Sequence, residues 1–304
     1  MRCAACPRDK ELALLILQII LSGLAQGCIY GLVALGFVLI YKATETINFA
    51  QGELMMLGAF LGWAVIDVLK LHFLLGCLLA VVLMVGLGML IERLLLRPIL
   101  GQPAFSVVML TFGLGYMARG AITMIPGIGT ETHTLPVPYK SVVFRPAGLV
   151  LPAEQLVVIG TTIALALALY ALFRFTRVGI AMQASSQNQI AAYYMGIPVK
   201  RLNGLVWGLA AAVATLAGLL LSPFTFVYAG MGFIGLKAFP AAVIGGFGSL
   251  PGAIVGGLLI GLIESLAGFY LPEGFKDVAA YVVVLIVLVV KPNGLFGDNV
   301  RKKV

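Results

Sequence analysis

Long apolar runs separated by short polar linkers dominate the chain. Uninterrupted apolar or weakly polar stretches lie at 12–41, 54–69, 73–91, 104–125, 155–173, 203–221, 238–250, 252–271 and 278–290. A bilayer core of about 30 Å is crossed by about 20 helical residues, so most of these runs have the length of a membrane helix. A membrane barrel would show short alternating segments instead. The predicted fold class is therefore all-α, a polytopic transmembrane helical bundle of eight or nine spans. Two regions depart from that regularity. The first run is too long for one ordinary span and contains Ser22-Gly23 and Gln26-Gly27, so it is either one tilted helix or a helix with a break. The region 222–250 and its C-terminal edge carry Pro223, Gly230, Gly232, Gly235, Pro240, Gly245, Gly246, Gly248, Pro251 and Gly252. Irregular backbone within a membrane persists only where it lines a cavity or is buried in protein, so broken or re-entrant segments are expected there.

Composition removes whole classes of function. Of 304 residues, 61% are hydrophobic and 11% charged, and the mean hydropathy is +1.09. A soluble domain runs nearer 45–50% apolar and about 25% charged, and no soluble fold of this size hides so much apolar surface. A water-soluble enzyme and a disordered chain are both excluded. The 37 glycines exceed the roughly 21 that average usage of about 7% would give, which in membranes accompanies close helix contacts or broken helices. The chain divides into an N-terminal tail (1–11), one transmembrane domain (12–291) and a basic C-terminal tail (292–304). Arg2, Arg8 and Lys10 before an apolar run, with Gly23-Leu24-Ala25 behind it, have the outline of a signal peptide. The apolar character resumes after Gln26 and continues to Tyr41, so a retained membrane anchor is the expectation.

Charge in the linkers sets an orientation. Arg93, Arg97, Arg174, Arg177, Lys200, Arg201, Lys291, Arg301, Lys302 and Lys303 stand against only Glu92 and Asp298 in three linkers. The intervening linkers, 126–154 and 272–277, hold Lys140, Arg145 and Lys276 against Glu131, Glu154, Glu273 and Asp277. The positive-inside rule places the first set and the C-terminus in the cytoplasm and the second set outside, leaving the N-terminal side open. The net charge of +8 is thus a topology signal, and nucleic-acid binding finds no support.

Candidate chemistry is sparse. No H-E-x-x-H, G-x-S-x-G or G-x4-G-K-[ST] occurs. Cys3 and Cys6 have the spacing of half a zinc site, but His72 and His133 are single and distant, and no second pair completes it. No metal or cofactor is implied, and the chain is not expected to be an enzyme. Ionisable residues within the apolar runs are functional candidates by default. Arg119 and Lys237 are expected to snorkel to an interface. Glu264 lies too deep for that and is either a buried hydrogen-bonding group or a residue near a solute path. In Thr44–Glu53, Asn48, Gln51 and Glu53 are spaced so that one helical turn presents them together, although an interfacial loop would also carry such a cluster. Small residues four apart, Ala253, Gly257, Gly261 and Ser265, read as a helix-packing face, with the wall of a path as the other reading. The stretch 174–203 is too polar to span. Its core, 184–198, reads as a short helix behind a serine cap, ended by Gly196 and Pro198, and serves as an interfacial anchor or a docking surface.

Three motifs carry a resemblance. Ile47-Asn48-Phe49-Ala50-Gln51-Gly52-Glu53, the run from Lys237-Ala238-Phe239 through Ala242-Val243-Ile244-Gly245-Gly246-Phe247-Gly248-Ser249-Leu250-Pro251-Gly252-Ala253, and the loop Ala192-x3-Gly196-Ile197 resemble the branched-chain amino acid ABC transporter permeases of the Liv type. Their order and spacing match from about residue 12 to residue 297. The resemblance implies a permease subunit of the bacterial inner membrane that imports amino acids, or in close relatives urea and short amides, by alternating access. It implies two cytoplasmic ATPase subunits, a second, related permease subunit and a periplasmic solute-binding protein as partners, with membrane lipid around them. It makes 185–197 the coupling helix, with Ser185, Gln187, Asn188, Ala192, Gly196 and Ile197 as its candidate residues. Gln187 and Asn188 stand where such importers often carry an acid, so flanking Arg177, Lys200 and Arg201 are the alternative contacts. Asn48, Gln51, Glu53 and Glu264 are the candidates beside the translocation path. A passive channel or ion-coupled carrier for a small polar solute is the alternative, with Glu264 as the coupling carboxylate. A lipid-modifying membrane enzyme would need His, Asp or Cys clusters at one membrane face that the chain does not display.

Overall fold

A computed structural model describes residues 7–99, 101–140, 142–145, 149–272 and 274–297. Cys3, Cys6, Glu273, Asp298 and the basic Arg301, Lys302 and Lys303 lie outside the described residues. Among the described residues the fold is a membrane bundle of eleven α-helices: α1 (Pro7–Thr44), α2 (Gln51–Trp63), α3 (Phe73–Ile91), α4 (Ala104–Thr123), α5 (Ala153–Phe175), α6 (Arg177–Gln187), α7 (Gln189–Tyr194), α8 (Val199–Thr225), α9 (Gly232–Gly245), α10 (Leu250–Tyr270) and α11 (Phe275–Val290). A two-residue antiparallel ladder, β1 (Val143–Phe144) with β2 (Leu151–Pro152), sits in the 126–152 linker. Among the described residues seven helices are long and apolar enough to cross a membrane, counting the continuation of α2 to Val68 and of α3 to Ile99. α9 and α11, with 14 and 16 residues, are apolar but shorter, α9 forming part of the shorter apolar helix Ala229–Gly245.

The first apolar run is one unbroken helix. Gly23, Gly27 and Gly31 recur every four residues and face Gly257, Gly261 and Ser265 of α10. A Cβ at Gly27 would lie 2.8 Å from the Gly257 carbonyl, and one at Gly23 2.9 Å from the Ser265 Cβ. Ser22-Gly23 and Gln26-Gly27 therefore mark a backbone-to-backbone helix contact rather than a break, and the small-residue stripe of α10 is its other half. α1, α2 and α8 form the centre, where Phe37, Met55, Met56 and Trp207 are fully enclosed. α3, α5 and α11 lie outside, and their exposed Leu74, Leu78, Leu167 and Val289 suit a lipid solvent.

The region 222–250 is irregular, as its Gly and Pro content predicts. α8 carries Pro223 and ends where Phe226 adopts φ +65°. A two-sided backbone bridge then joins Val227 to His133, each amide to the other's carbonyl at 2.8 Å. The His133 ring stacks on Trp63 with centroids 3.9 Å apart, so the 126–152 linker is pinned over the α8–α9 break. α9 starts at Gly232, earlier than its apolar run at 238, and places Lys237 inside the helix. It stops at Gly246, φ +91°, where a Cβ would lie 2.8 Å from the Gly297 amide.

Candidate functional site

The segment after α1 turns back into the bundle. Glu45 takes φ +54°, and Phe49 stacks on Phe112 of α4 with centroids 4.4 Å apart and meets Phe239 of α9 at 5.6 Å. Asn48, fully buried, accepts the Ala50 amide at 3.0 Å through its Oδ1 and donates from Nδ2 to Gln51 Oε1 at 3.3 Å. Gln51, also fully buried, donates from Nε2 to the Ala210 carbonyl of α8 at 3.2 Å. Its amide lies against Gly36 of α1, where a Cβ would collide with it. The two amides thus hold each other and tie α1, α2 and α8 together.

Glu53, two residues on, faces a different neighbour. Its carboxylate is ion-paired with the Arg119 guanidinium of α4, and Arg119 Nε also donates to Glu53 Oε2 at 3.4 Å. The guanidinium lies over the Phe233 ring, 3.7 Å from its centroid, with Tyr116 at 5.9 Å. Gly232, the first residue of α9, has its Cα against the Glu53 carboxylate, so a Cβ there would overlap it. Glu53 therefore sits between a cation and a helix N-terminus, two sources of positive potential. Arg119 is not snorkelling as expected, because this partner inside the bundle satisfies its charge.

Glu264 organises a second ionic group. The residue is 2% exposed and receives Lys237 Nζ at 3.7 Å, Lys276 Nζ at 3.9 Å and Gln26 Nε2 at 3.4 Å. Lys237 also donates to Asp277. Lys237, a third exposed, thus reaches toward the outer linker at Asp277, as the snorkelling expectation has it, while also meeting the buried Glu264. Glu264 is not brought together with Asn48, Gln51 and Glu53; the four candidates fall into a buried amide pair and two separate ionic groups. Arg119 and Lys237 are the members that sequence reasoning undervalued. The only signal in the sequence was that acidic residues of opposite charge, Glu53 and Glu264, also stand at or within apolar runs; which cation each one meets is set by the fold.

A further feature lies at the other end of the bundle. The predicted single helix at 185–197 is two, separated at Asn188. Thr176, not a serine, caps α6 by accepting the Gly179 amide at 3.0 Å, and Asn188 caps α7 by accepting the Ala191 amide at 2.9 Å. Asn188 is extended, φ −157°, which ends α6 and explains the split. Ser185 and Gln187 belong to α6, and Ser185 is buried. α7 closes with Gly196 at φ +81°; the Gly196 amide reaches the Tyr193 carbonyl and the Ile197 amide the Ala192 carbonyl, both at 3.0 Å, a Schellman stop. Ala192 is buried, and Gln189 Nε2 donates to the Ala43 carbonyl of α1 at 2.7 Å. Ile190, Tyr193, Tyr194 and Met195 point outward, 68% to 83% exposed. Nearby, Glu92 is buried and bound by Arg97 Nη2 at 2.8 Å, and Arg97 also donates to the Lys200 carbonyl at 3.1 Å.

The family described as "Branched-chain amino acid transport system / permease component" matches residues 19–290. The high-affinity branched-chain amino acid transport system permease protein LivH of Escherichia coli K12 is 32% identical over 310 residues, covering 97% of this chain and all of the relative. BraD of Pseudomonas aeruginosa, of the same description, is 28% identical and covers 95% of this chain and 98% of its own length. PsaBC from Streptococcus pneumoniae, solved in complex with Fab, overlays with a TM-score of 0.49 at 15% identity, covering 90% of this chain and 92% of that one.

Proposed function

The chain belongs to the permease components of branched-chain amino acid transport systems, and from that premise we propose that it is the membrane-spanning subunit of an ATP-driven importer. Its cargo is a branched-chain or other small amino acid, moved by alternating access. ATP is hydrolysed by two separate subunits on the cytoplasmic side, a second, related permease completes the path, and a periplasmic binding protein delivers the solute. The protein lies in the bacterial inner membrane with its C-terminus in the cytoplasm, as the basic linkers require.

The observation that carries this reading is the α6–α7 turn. Two side-chain caps and a Schellman stop make it rigid. It nevertheless exposes Ile190, Tyr193, Tyr194 and Met195 among the exposed basic residues Arg177, Lys200 and Arg201. A rigid apolar knob in a basic collar at one end of a membrane bundle suits insertion into a cleft of a soluble partner. Gln189 links that knob to the end of α1, so force applied to α7 passes to the bundle centre. Closure of the ATPase pair on ATP then opens the path outward. Asn48, Gln51, Glu53 and Glu264 lie beside that path with different tasks: the amide pair fixes where α2 begins, and the two carboxylates hold α9, Glu53 at its first residue Gly232 and Glu264 at Lys237 in its middle.

Purification of the tagged chain in mild detergent from its own membranes is the test. ATPase subunits are expected to co-elute, and to be lost when residues 185–197 are replaced by a Gly/Ser linker. A chain that elutes alone and transports solute in liposomes without ATP would instead be a channel or carrier, and the importer reading would fall.

A further inference from the structure

The Glu53–Arg119 pair has a feature that a structural strut does not need. Both side chains are largely but not wholly buried, Glu53 12% and Arg119 17% exposed, and they line one small cavity together with aromatic rings. Phe49 and Phe112 stack on one side of it, and Phe233 and Tyr116 flank the guanidinium on the other. Phe233 and Tyr116 are themselves half or more exposed, so the cavity is open along α4 and α9. A strut between helices would sit where three packed faces exclude everything else. Here glycines bring the backbones together and leave the charges at an opening: Gly115 and Gly232 stand where any Cβ would crowd Glu53.

Resting on the importer reading, we propose that this cavity is a binding point on the path for the backbone of a zwitterionic amino acid, with Arg119 taking its carboxylate and Glu53 its ammonium. The charge count selects the ligand. Each protein charge is satisfied by the other when the site is empty. A zwitterion inserted between them replaces one ion pair by two, and no charge is left alone in a low-dielectric surrounding. An anion would occupy Arg119 and strand Glu53, and a cation would strand Arg119. A neutral urea or simple amide gains little from splitting the pair, so the site favours amino acids over those solutes. Glu53 retains the α9 N-terminus when Arg119 turns to the solute, which keeps the exchange reversible. The planar guanidinium, stacked on Phe233, matches a carboxylate in two-point contact, and the aromatic faces suit an apolar side chain. Because the empty site closes on itself, release regains the ion pair. Such a site discriminates without holding its cargo.

The test uses the assembled importer, with its ATPases, second permease and binding protein, in proteoliposomes. Radiolabelled leucine uptake and ATP hydrolysis are measured together, and the readout is leucine imported per ATP hydrolysed. In Glu53→Gln/Arg119→Gln that ratio is expected to fall at least tenfold. Arg119→Lys keeps the ion pair but loses the two-point contact and the stacking, and a fall of threefold or more is expected. A ratio within twofold of the parent in either variant overturns the proposal and leaves the pair a strut. Should the double variant fail to assemble, Arg119→Lys decides alone. If the unsubstituted complex imports leucine without ATP, the importer reading itself fails, an outcome distinct from an unchanged ratio in the variants.

Discussion

Gln51 shows how much of this membrane protein's order rests on single polar side chains. Its amide spends its Oε1 on Asn48 and its Nε2 on the Ala210 carbonyl, over a glycine that leaves room for nothing else. Buried polar groups without partners cost about 1–3 kcal/mol, so Gln51→Leu, which strands the Asn48 amide, is expected to destabilise the purified protein by that amount. Gly36→Ala is expected to be comparably harmful for a steric reason, because the amide is held at both ends and has nowhere to go. In a thermal double-mutant cycle, Gln51→Ala is expected to relieve much of the Gly36→Ala penalty, giving a favourable coupling of about 0.5–3 kcal/mol. Strict additivity would mean that the two residues do not touch. At this scale the sequence was legible by type but not by partner. Asn48, Gln51 and Glu53 announced themselves as polar residues flanked by apolar runs, yet their separation into an amide lock and an ionic group depends on Ala210 and Arg119, about 160 and 66 positions away. Arg119 and Lys237 read as snorkelling residues because linear distance to a helix end is visible in a sequence and a carboxylate on another helix is not.

At the scale of the element, glycine spacing carries the packing of α1 on α10. A Cβ at Gly257 or Gly261 would run into the α1 backbone at Gly31 or Gly27, whereas one at Gly86 of α3 meets nothing within 4 Å. Gly257→Val is therefore expected to pry the two helices apart and lower the unfolding temperature of the detergent-solubilised protein sharply. Gly86→Ala is expected to leave that temperature unchanged or raise it slightly, since alanine is favoured over glycine in a helix by about 1 kcal/mol. Equal effects of the two substitutions would remove glycine contact as the determinant. Helix existence was well marked in the chain, because apolar runs of membrane length have few other fates. Helix limits were less so. α9 begins at Gly232 rather than at 238, and the polar turn at 51–53 belongs to α2, because backbone hydrogen bonding outvotes side-chain polarity once tertiary partners such as Ala210 and Arg119 are present. The division of 177–194 into α6 and α7 was hidden for a related reason: Asn188 is an ordinary polar residue until its extended backbone and its hydrogen bond to the Ala191 amide make it a cap.

The whole molecule has two unlike ends, and the contacts between linkers assign each helix terminus to one of them. One end gathers the close of α1 with α7 through Gln189 and Ala43, the close of α3 with the start of α8 through Arg97 and the Lys200 carbonyl, and the close of α9 with residues 294–297. The other gathers the 126–152 linker, the α8–α9 break and, through Gln18 donating to the Val150 carbonyl, the early turns of α1. Those early turns and the segment after α11 thus lie at opposite ends. The start of α1 then falls on the side away from Arg93, Arg97, Arg174, Arg177, Lys200, Arg201 and Lys291, and the positive-inside rule predicts that those seven lie in the cytoplasm. With Cys3, Cys6, Cys28 and Cys77 replaced, a membrane-impermeant maleimide added to intact cells is expected to label Glu131→Cys, at an exposed position of the 126–152 linker. Tyr194→Cys on α7 is expected to react only after the membrane is permeabilised. Labelling of Tyr194→Cys in intact cells would invert the orientation and place the apolar knob of α7 where no ATPase could reach it. The importer reading and the topology therefore stand or fall on the same side of the membrane.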